Sequence, residues 1–490
     1  MNSTVSHRLL PIIVSACALL GGCSDTLRAT EFCLDGQFDL GARYQGMHAT
    51  AGEMYPARFC YVVDKGNVMF SGSGRSNPDM DGDWTVAFLP PDTVRIINRN
   101  SPPDVEFSGK SVVEEALRYR RVDPKQLIAE IDANPGWVTE RSGGGRYTVL
   151  YPGSPHVAEV LVADGSLNEF RTQTDIPLRG RVPVSWQWDW SDQDAPVVQL
   201  TVEDDVIFKA RGRWRTLGAT EAEALWKLSG GQDAVQVPAD RWPARISLEI
   251  QEVANGVNIV TGVRTGFSHI IIETSEGLVV GDAPAGWVEL QQLPPADLVP
   301  GYGISGLSEN FVDFLNKRFP DTPIRAVALT HAHDDHAGGA RAFAAAGAEV
   351  YAPQRVVTFL DESLNRTAMP EDRLKAGGRS VNVIPVTDRL ILADDTNAVE
   401  LVELPPGPHV DAALGIWARD AGVFFQSDLH VPRSDDDTPR TDRATTECWF
   451  AAWAVSSLPP DTIVVNSHSS PRTPVSRLAR YLESDTCRNL

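Results

Sequence analysis

A dense cluster of metal-ligating side chains follows the apolar run 326–329: Thr330-His331-Ala332-His333-Asp334-Asp335-His336-Ala337-Gly338-Gly339. His331, His333, Asp335 and His336 fall within six residues, although the 490-residue chain holds only 10 histidines. Imidazole and carboxylate hold Zn²⁺ or Fe²⁺ without redox-sensitive thiols. A strand end that breaks into a tight loop lets His331 and His333 point to one side. Asp335 and His336 then reach a neighbouring point, so one loop can serve two metals a few ångströms apart. The bland alternative is a polar loop with incidental histidines, and the His-x-His-x-Asp-His spacing argues against it.

This segment resembles the HxHxDH signature of the metallo-β-lactamase-fold superfamily. The resemblance covers residues 247–490. It implies an αββα sandwich, in which two mixed sheets face each other with helices outside. It also implies further ligands downstream, in the order His, Asp, His, each at a strand end. Candidates stand in that order: His409 in Pro406-Gly407-Pro408-His409-Val410-Asp411, Asp428 in Phe424-Phe425-Gln426-Ser427-Asp428, and His468 in Val464-Val465-Asn466-Ser467-His468. Upstream, Leu278-Val279-Val280-Gly281-Asp282 matches the family's early strand ending in Asp. Carried over residue by residue, His331, His333 and His409 hold one metal. Asp335, His336 and His468 hold the other, and Asp428 bridges the two. The expected cofactor is two Zn²⁺ per chain, with Fe or Mn as the other candidates. A hydroxide between the metals is the implied nucleophile. Asp335 is the candidate catalytic residue, orienting that hydroxide, and Asp282 is expected to orient ligand histidines from behind. Two departures from the family pattern stand out. Ser469 follows His468 where Gly is frequent, and His409-Val410-Asp411 stands where many members have His-Thr-x-Asp. Neither removes a ligand.

The activity implied by this resemblance is metal-dependent hydrolysis of an ester, lactone or thioester-type bond in a small molecule. A β-lactamase fits less well, because the true β-lactamases of the family carry Cys or a non-ligand at the Asp428 position. Two further readings are a mononuclear iron dioxygenase acting on sulfur compounds and a non-catalytic envelope lipoprotein with a structural metal site. His430 reads as a solvated loop histidine, and Asp435-Asp436-Asp437 as a solvated acidic run. His48, His156 and His269 are expected to be structural.

Alternating elements must position these ligands. In residues 247–490, strand-like runs (270–272, 278–280, 326–329, 381–384, 423–425, 462–465) alternate with helical ones (308–318, 339–346, 476–482). That rhythm belongs to a layered α/β domain. Residues 23–217 read instead as a mainly antiparallel β (α+β) domain without a catalytic motif. Runs 146–151, 157–162 and 167–172 are β-rich, and Asp164-Gly165 between the last two signals a hairpin. Trp186, Trp188 and Trp190 alternate with Gln187 and Asp189, which puts the indoles on one strand face, most simply the core face. One helix is well marked, with Asp123 as N-cap, Pro124 at the first position and Asn134-Pro135-Gly136 as the stop. A short helical pattern at 221–228, then Gly230-Gly231 and a polar stretch through Pro238, mark 218–246 as a linker.

The acidic balance of 44 basic against 65 acidic residues, formally −21, disfavours a nucleic-acid binder. No run of about 18 apolar residues exists, so a polytopic membrane protein is not expected. Residues 1–22 read as a signal peptide of the lipoprotein type: Arg8, an apolar run 9–20, then Leu20-Gly21-Gly22-Cys23, which resembles the bacterial lipobox. Lipidation of Cys23 would be the only link to a membrane, on the periplasmic side of a bacterial envelope. Cys33, Cys60, Cys448 and Cys487 remain, an even number suited to an oxidising compartment. Three pairings are open, and Cys33–Cys60 with Cys448–Cys487 is the simplest. The expected partner is a small-molecule substrate. The oligomeric state is left open.

Overall fold

The structure, a computed structural model, describes residues 29–38, 54–64, 67–77, 80–89, 93–98, 105–108, 123–150, 157–228, 235–238, 248–263, 267–285, 305–369, 371–393, 397–432, 438–440, 443–468 and 472–490. The signal segment, Cys23, His48, His156, Asp435-Asp436-Asp437 and Ser469 lie outside these residues.

The N-terminal half is built from two antiparallel meanders. The first runs through Thr30–Phe38, Tyr55–Asp64, Asn67–Asn77, Met80–Leu89, Thr93–Asn98 and Val105–Ser108. The second runs from Val138–Ser142 through Arg146–Val149, Ala158–Ala163, Ser166–Ile176, Gly180–Asp189 and Val197–Val202 to Asp205–Thr216. Thr30–Phe38 pairs antiparallel with Asp205–Thr216, placing Phe32 opposite Trp214 and fusing both meanders into one 14-stranded sheet. The predicted hairpin at Asp164-Gly165 forms with φ of 51° and 75°, the left-handed pair that a two-residue turn requires. The helix Pro124–Ala133 starts where the capping signal placed it, with Asp123 Oδ1 accepting from the Lys125 amide at 3.0 Å. Its Leu127 and Ile131, one turn apart, bury into a core shared with Phe170, Trp186, Trp188 and Phe208. The tryptophan stripe is therefore core. Trp190, only half-buried, donates from Nε1 to the Leu167 carbonyl at 2.6 Å. Within 218–246, helix Ala219–Leu228 packs on this sheet, Trp226 donating to Asp64 at 2.9 Å. Val235–Pro238 extends the sheet parallel to Val105–Ser108. That stretch thus contributes elements to the sheet domain.

The C-terminal half is a four-layer sandwich. One seven-stranded sheet carries Glu249–Ala254, Val257–Thr261, Ser268–Thr274, Gly277–Gly281, Ile324–Ala328, Glu349–Pro353 and Val383–Val386; the last four are mutually parallel. The facing six-stranded sheet carries Arg389–Ala393, Val399–Leu404, Ala413–Ala418, Val423–Phe425, Ile463–Val465 and Thr473–Pro474. Strand alternation feeds two cores from each strand. Ile270, Ile272, Val279, Ala326 and Ala328 meet Leu401, Ile416 and Phe425 between the sheets. Ile271, Val280, Val327 and Leu329 face outward onto helices Gly306–Arg318, Ala340–Ala346 and Val357–Leu364. On the far side Phe424 and Val464 pack under helices Ala444–Ser457 and Val475–Glu483. Burial on both faces is why these strands read as continuous apolar runs. Disulfides join Cys33 to Cys60 and Cys448 to Cys487, the simplest of the three pairings. Among the described residues no helix is long and apolar enough to cross a membrane.

Candidate metal centre

The predicted ligands come from loops after strands, gathered at one edge of the sandwich. Strand Ile324–Ala328 leads through Leu329 and Thr330 to His331; His333 then caps the one-turn helix Asp334–Ala337, which carries Asp335 and His336. His409 sits in the loop between Val399–Leu404 and Ala413–Ala418. Asp428 follows Val423–Phe425, and His468 follows Ile463–Val465. Asp282 follows Gly277–Gly281 with φ of 65°, a strained value for a residue other than glycine. Ser427, at 63°, takes the same turn just before Asp428.

These loops bring all seven residues together as two adjoining groups. His331, His333, His409 and Asp428 offer ligand atoms within 4.8 Å of one another, and so do Asp335, His336 and His468. Asp428 lies between them. Its Oδ1 is 2.9 Å from His468 Nε2 and 3.3 Å from His336 Nε2, whereas its Oδ2 is 3.4 Å from His409 Nε2 and 3.9 Å from His331 Nε2. Asp335 Oδ2 is 3.3 Å from His336 Nε2 and 3.9 Å from His468 Nε2, on the side of the second group.

Asp282, fully buried, governs one histidine in each group. Its Oδ2 accepts from His336 Nδ1 at 2.9 Å, which turns His336 Nε2 to the site. Its Oδ1 accepts from the Thr330 amide at 2.8 Å and the Thr330 hydroxyl at 2.7 Å. With that hydroxyl proton committed, His331 Nδ1 must donate to Thr330 Oγ1 at 3.0 Å, which leaves its Nε2 unprotonated. Asp282, the residue expected to orient ligand histidines, touches His336 directly and reaches His331 through Thr330. Sequence reasoning did not single out the serines preceding two ligands. Ser467 Oγ donates to Asp428 Oδ1 at 2.8 Å, and Ser427 Oγ donates to Asp282 Oδ2 at 3.0 Å. Their only sequence signal was the repeated Ser-ligand order in Ser427-Asp428 and Ser467-His468.

The donor set fits cations. His331 Nε2 and His333 Nδ1 face each other at 2.8 Å, so two ring nitrogens converge on one point. The buried Nε2 atoms of His336 and His409 make no hydrogen bond. Buried polar atoms left unpaired are costly, and a metal satisfies them. Burial, reinforced by neighbouring imidazoles, holds His331 and His333 well below the usual histidine range; burial lowers His409 too. All three are neutral, the state that ligates. Burial also works against a charge on His336, but Asp335, Asp428 and Asp282 outweigh it and hold its pKa well above the usual range. Burial would raise Asp335 and Asp428, yet the facing histidines keep both carboxylates below their usual range. Carboxylates concentrated in a dry site call for positive charge, which bound metal would supply.

His430 differs from the solvated residue expected. It is 1% exposed, with Nε2 3.0 Å from Thr473 Oγ1 and its ring between Phe450 and Tyr481. Helices Ala444–Ser457 and Val475–Glu483 close over its loop. Burial first, then Arg443 and Arg477, push its pKa down to about 3. The same loop is pinned by Glu447, which accepts from the Arg440 amide at 2.8 Å and the Val431 amide at 3.3 Å, and by Arg443, which donates to the Asp428 carbonyl. His269 is buried, as a structural residue would be, with Nδ1 3.1 Å from the Gly281 carbonyl oxygen.

Residues 305–468 match the family model of the metallo-beta-lactamase superfamily, a segment that holds all seven candidate ligands. With its four layers, the C-terminal region has the metallo-β-lactamase fold. Similar solved structures include a metallo-beta-lactamase from Pontibacter korlensis (17% identity, TM-score 0.35, covering 50% of this chain and 100% of that one). The stereoselective inverting sec-alkylsulfatase Pisa1 from a Pseudomonas species is another (17% identity, TM-score 0.32, 49% of this chain and 41% of that one). A third is a metallo-beta-lactamase from Hirschia baltica (18% identity, TM-score 0.33, 49% and 96%). No curated protein matches the chain.

Proposed function

We propose that this chain is a hydrolase with a binuclear zinc centre that cleaves an ester, lactone or thioester-type bond of a small molecule. One observation carries the reading: the two oxygens of Asp428 are divided between two complete ligand groups. A single-metal site needs only one of those groups. His331, His333 and His409 would hold one ion, Asp335, His336 and His468 the other, with Asp428 shared. Bound there, the ions supply Lewis acidity, lowering the pKa of water and polarising the scissile acyl oxygen. The chain's own side chains do the rest. Asp282 fixes the ring nitrogens that face the site and accepts from Ser427, Ser467 holds the Asp428 carboxylate, and Asp335, on the second group's side, orients the attacking water. The apolar start, the Leu20-Gly21-Gly22-Cys23 segment and two disulfides support export and anchoring through lipid on Cys23.

The test is elemental analysis of the full chain, followed by assays on esters, lactones and thioesters. Two zinc ions per chain with turnover of one class is the expected result. One iron per chain with oxygen consumption on a sulfur compound, or no retained metal after reconstitution, overturns it.

A further inference from the structure

The turn between Ser166–Ile176 and Gly180–Asp189 leaves the N-terminal sheet and enters the metal-bearing half. Ile176 is buried in the N-terminal core, whereas Leu178, two residues on and 1% exposed, belongs to the other core with Ala283, Ala332, Ala337 and Ala340. Leu178 has φ of 63°, a left-handed conformation that persists in a branched residue only where the surroundings enforce it. Pro177 reaches the end of the ligand helix: its Cβ lies 3.0 Å from where a Cβ on Gly338 would stand. Gly180 has φ of 80°, and a Cβ there would lie 2.4 Å from the Ala368 carbonyl oxygen. The Arg181 amide donates to that oxygen at 2.7 Å. An ionic bridge closes the outside, Arg179 pairing with one oxygen of Glu203 at 2.8 Å while Arg366 takes the other.

Helix Asp334–Ala337 has four residues, too few to fix its own direction, so its packing partners set it. The Ala283 amide donates to the His336 carbonyl at 2.7 Å. At the helix end the turn 177–180 reaches Gly338 through Pro177, beside Ala285. We propose that this turn is a brace for the second ligand group, with Leu178 as the positioning residue that fixes Asp335 and His336. The sheet domain is then a working part of the metal centre, not an appended module. This inference rests on the metal-centre reading above.

The test uses the full chain, stripped of metal and titrated with zinc alone against a chromophoric chelator, with cobalt(II) absorption as a second readout of ligand geometry. The parent chain is expected to bind two equivalents. In Leu178→Ala one equivalent should lose roughly tenfold or more in affinity, the scale of outer-shell supports, while the other stays within about twofold. Leu178→Met, which refills the space, should restore it. Leu178→Gly removes the side chain while relieving the backbone, so it keeps the test available should the alanine variant not fold; it should show the same selective loss. Two unchanged equivalents in Leu178→Ala or Leu178→Gly overturn the brace alone. Equal weakening of both equivalents also overturns it. A parent chain that binds no zinc overturns the metal-centre reading and the brace with it.

Discussion

Replacing Asp282 by asparagine tests the logic of the centre with almost no change in shape. Asp282 accepts four hydrogen bonds, from the Thr330 amide and hydroxyl on Oδ1 and from His336 Nδ1 and Ser427 Oγ on Oδ2. An asparagine can accept on one side only. If its oxygen faces Thr330, its NH₂ meets His336 Nδ1. That nitrogen must then accept, and the proton moves to Nε2, which no longer offers a lone pair to the second group. If the amide is reversed, the Thr330 hydroxyl turns to His331 Nδ1 and the first group loses its histidine instead. Either orientation disables one ligand. A hydrogen bond to a charged acceptor contributes about 1.5–3 kcal/mol, which corresponds to roughly ten- to a hundredfold in affinity. Asp282→Asn should therefore bind one zinc equivalent normally and the other roughly ten- to a hundredfold more weakly, as read by chelator competition. Its metal-free thermal unfolding should show a folded protein. Two equivalents at parental affinity would refute the claim that Asp282 sets the tautomers.

Two further outcomes follow from the same geometry. The double substitution His331→Ala with His333→Ala should remove the first metal and reduce hydrolysis to background while circular dichroism stays native-like; full activity in that variant would sink the site assignment. Stability of the metal-free chain should fall as pH drops through 6.5 towards about 4. His269 has a folded pKa lowered to about 4, chiefly by burial, so below its ordinary pKa of 6.5 the unfolded chain binds a proton that the folded chain refuses. The slope from this group reaches about 1.4 kcal/mol per pH unit. His269→Gln should reduce the slope by up to that amount in denaturant unfolding between pH 6.5 and 4.5, the buried His331, His333, His409 and His430 supplying the rest, and an unchanged slope would exclude His269 as a contributor.

The candidate ligands were legible because the first four stand together in sequence and because the resemblance to the metallo-β-lactamase-fold superfamily implied the order His, Asp, His, which His409, Asp428 and His468 follow. Strand alternation and the Asp164-Gly165 turn were legible from local pattern. Helix Ala444–Ser457 was harder to see, since Cys448, Trp449, Phe450, Trp453 and the alanines between them leave no clean polar face. His430 was misjudged because it stands in a loop that runs on into Asp435-Asp436-Asp437, while the rings that bury it come from residues 450 and 481. The stretch 218–246 carries linker-like composition, but Trp226 finds Asp64, a partner more than 160 residues away. Pro177-Leu178-Arg179-Gly180 looks like an ordinary hairpin turn. Nothing in those four residues says that Leu178 serves a core other than its own strand's.

The pairing of Thr30–Phe38 with Asp205–Thr216 also has a bearing on the order of assembly. Each meander closes from neighbouring strands, but this seam joins Thr30 to Thr216 and so carries the largest loop-closure cost in the sheet. Until it forms, two long strand edges stand open, and open edges invite wrong pairing. Cys33 lies on the seam strand directly opposite Cys60, so their bond fixes the register of Thr30–Phe38 on Tyr55–Asp64. A slip of one residue would turn Phe32 and Leu34 from the core to the outside. Oxidation ahead of seam closure presents the waiting edge in a single register, which makes the disulfide a guide to assembly as well as a crosslink in the finished sheet.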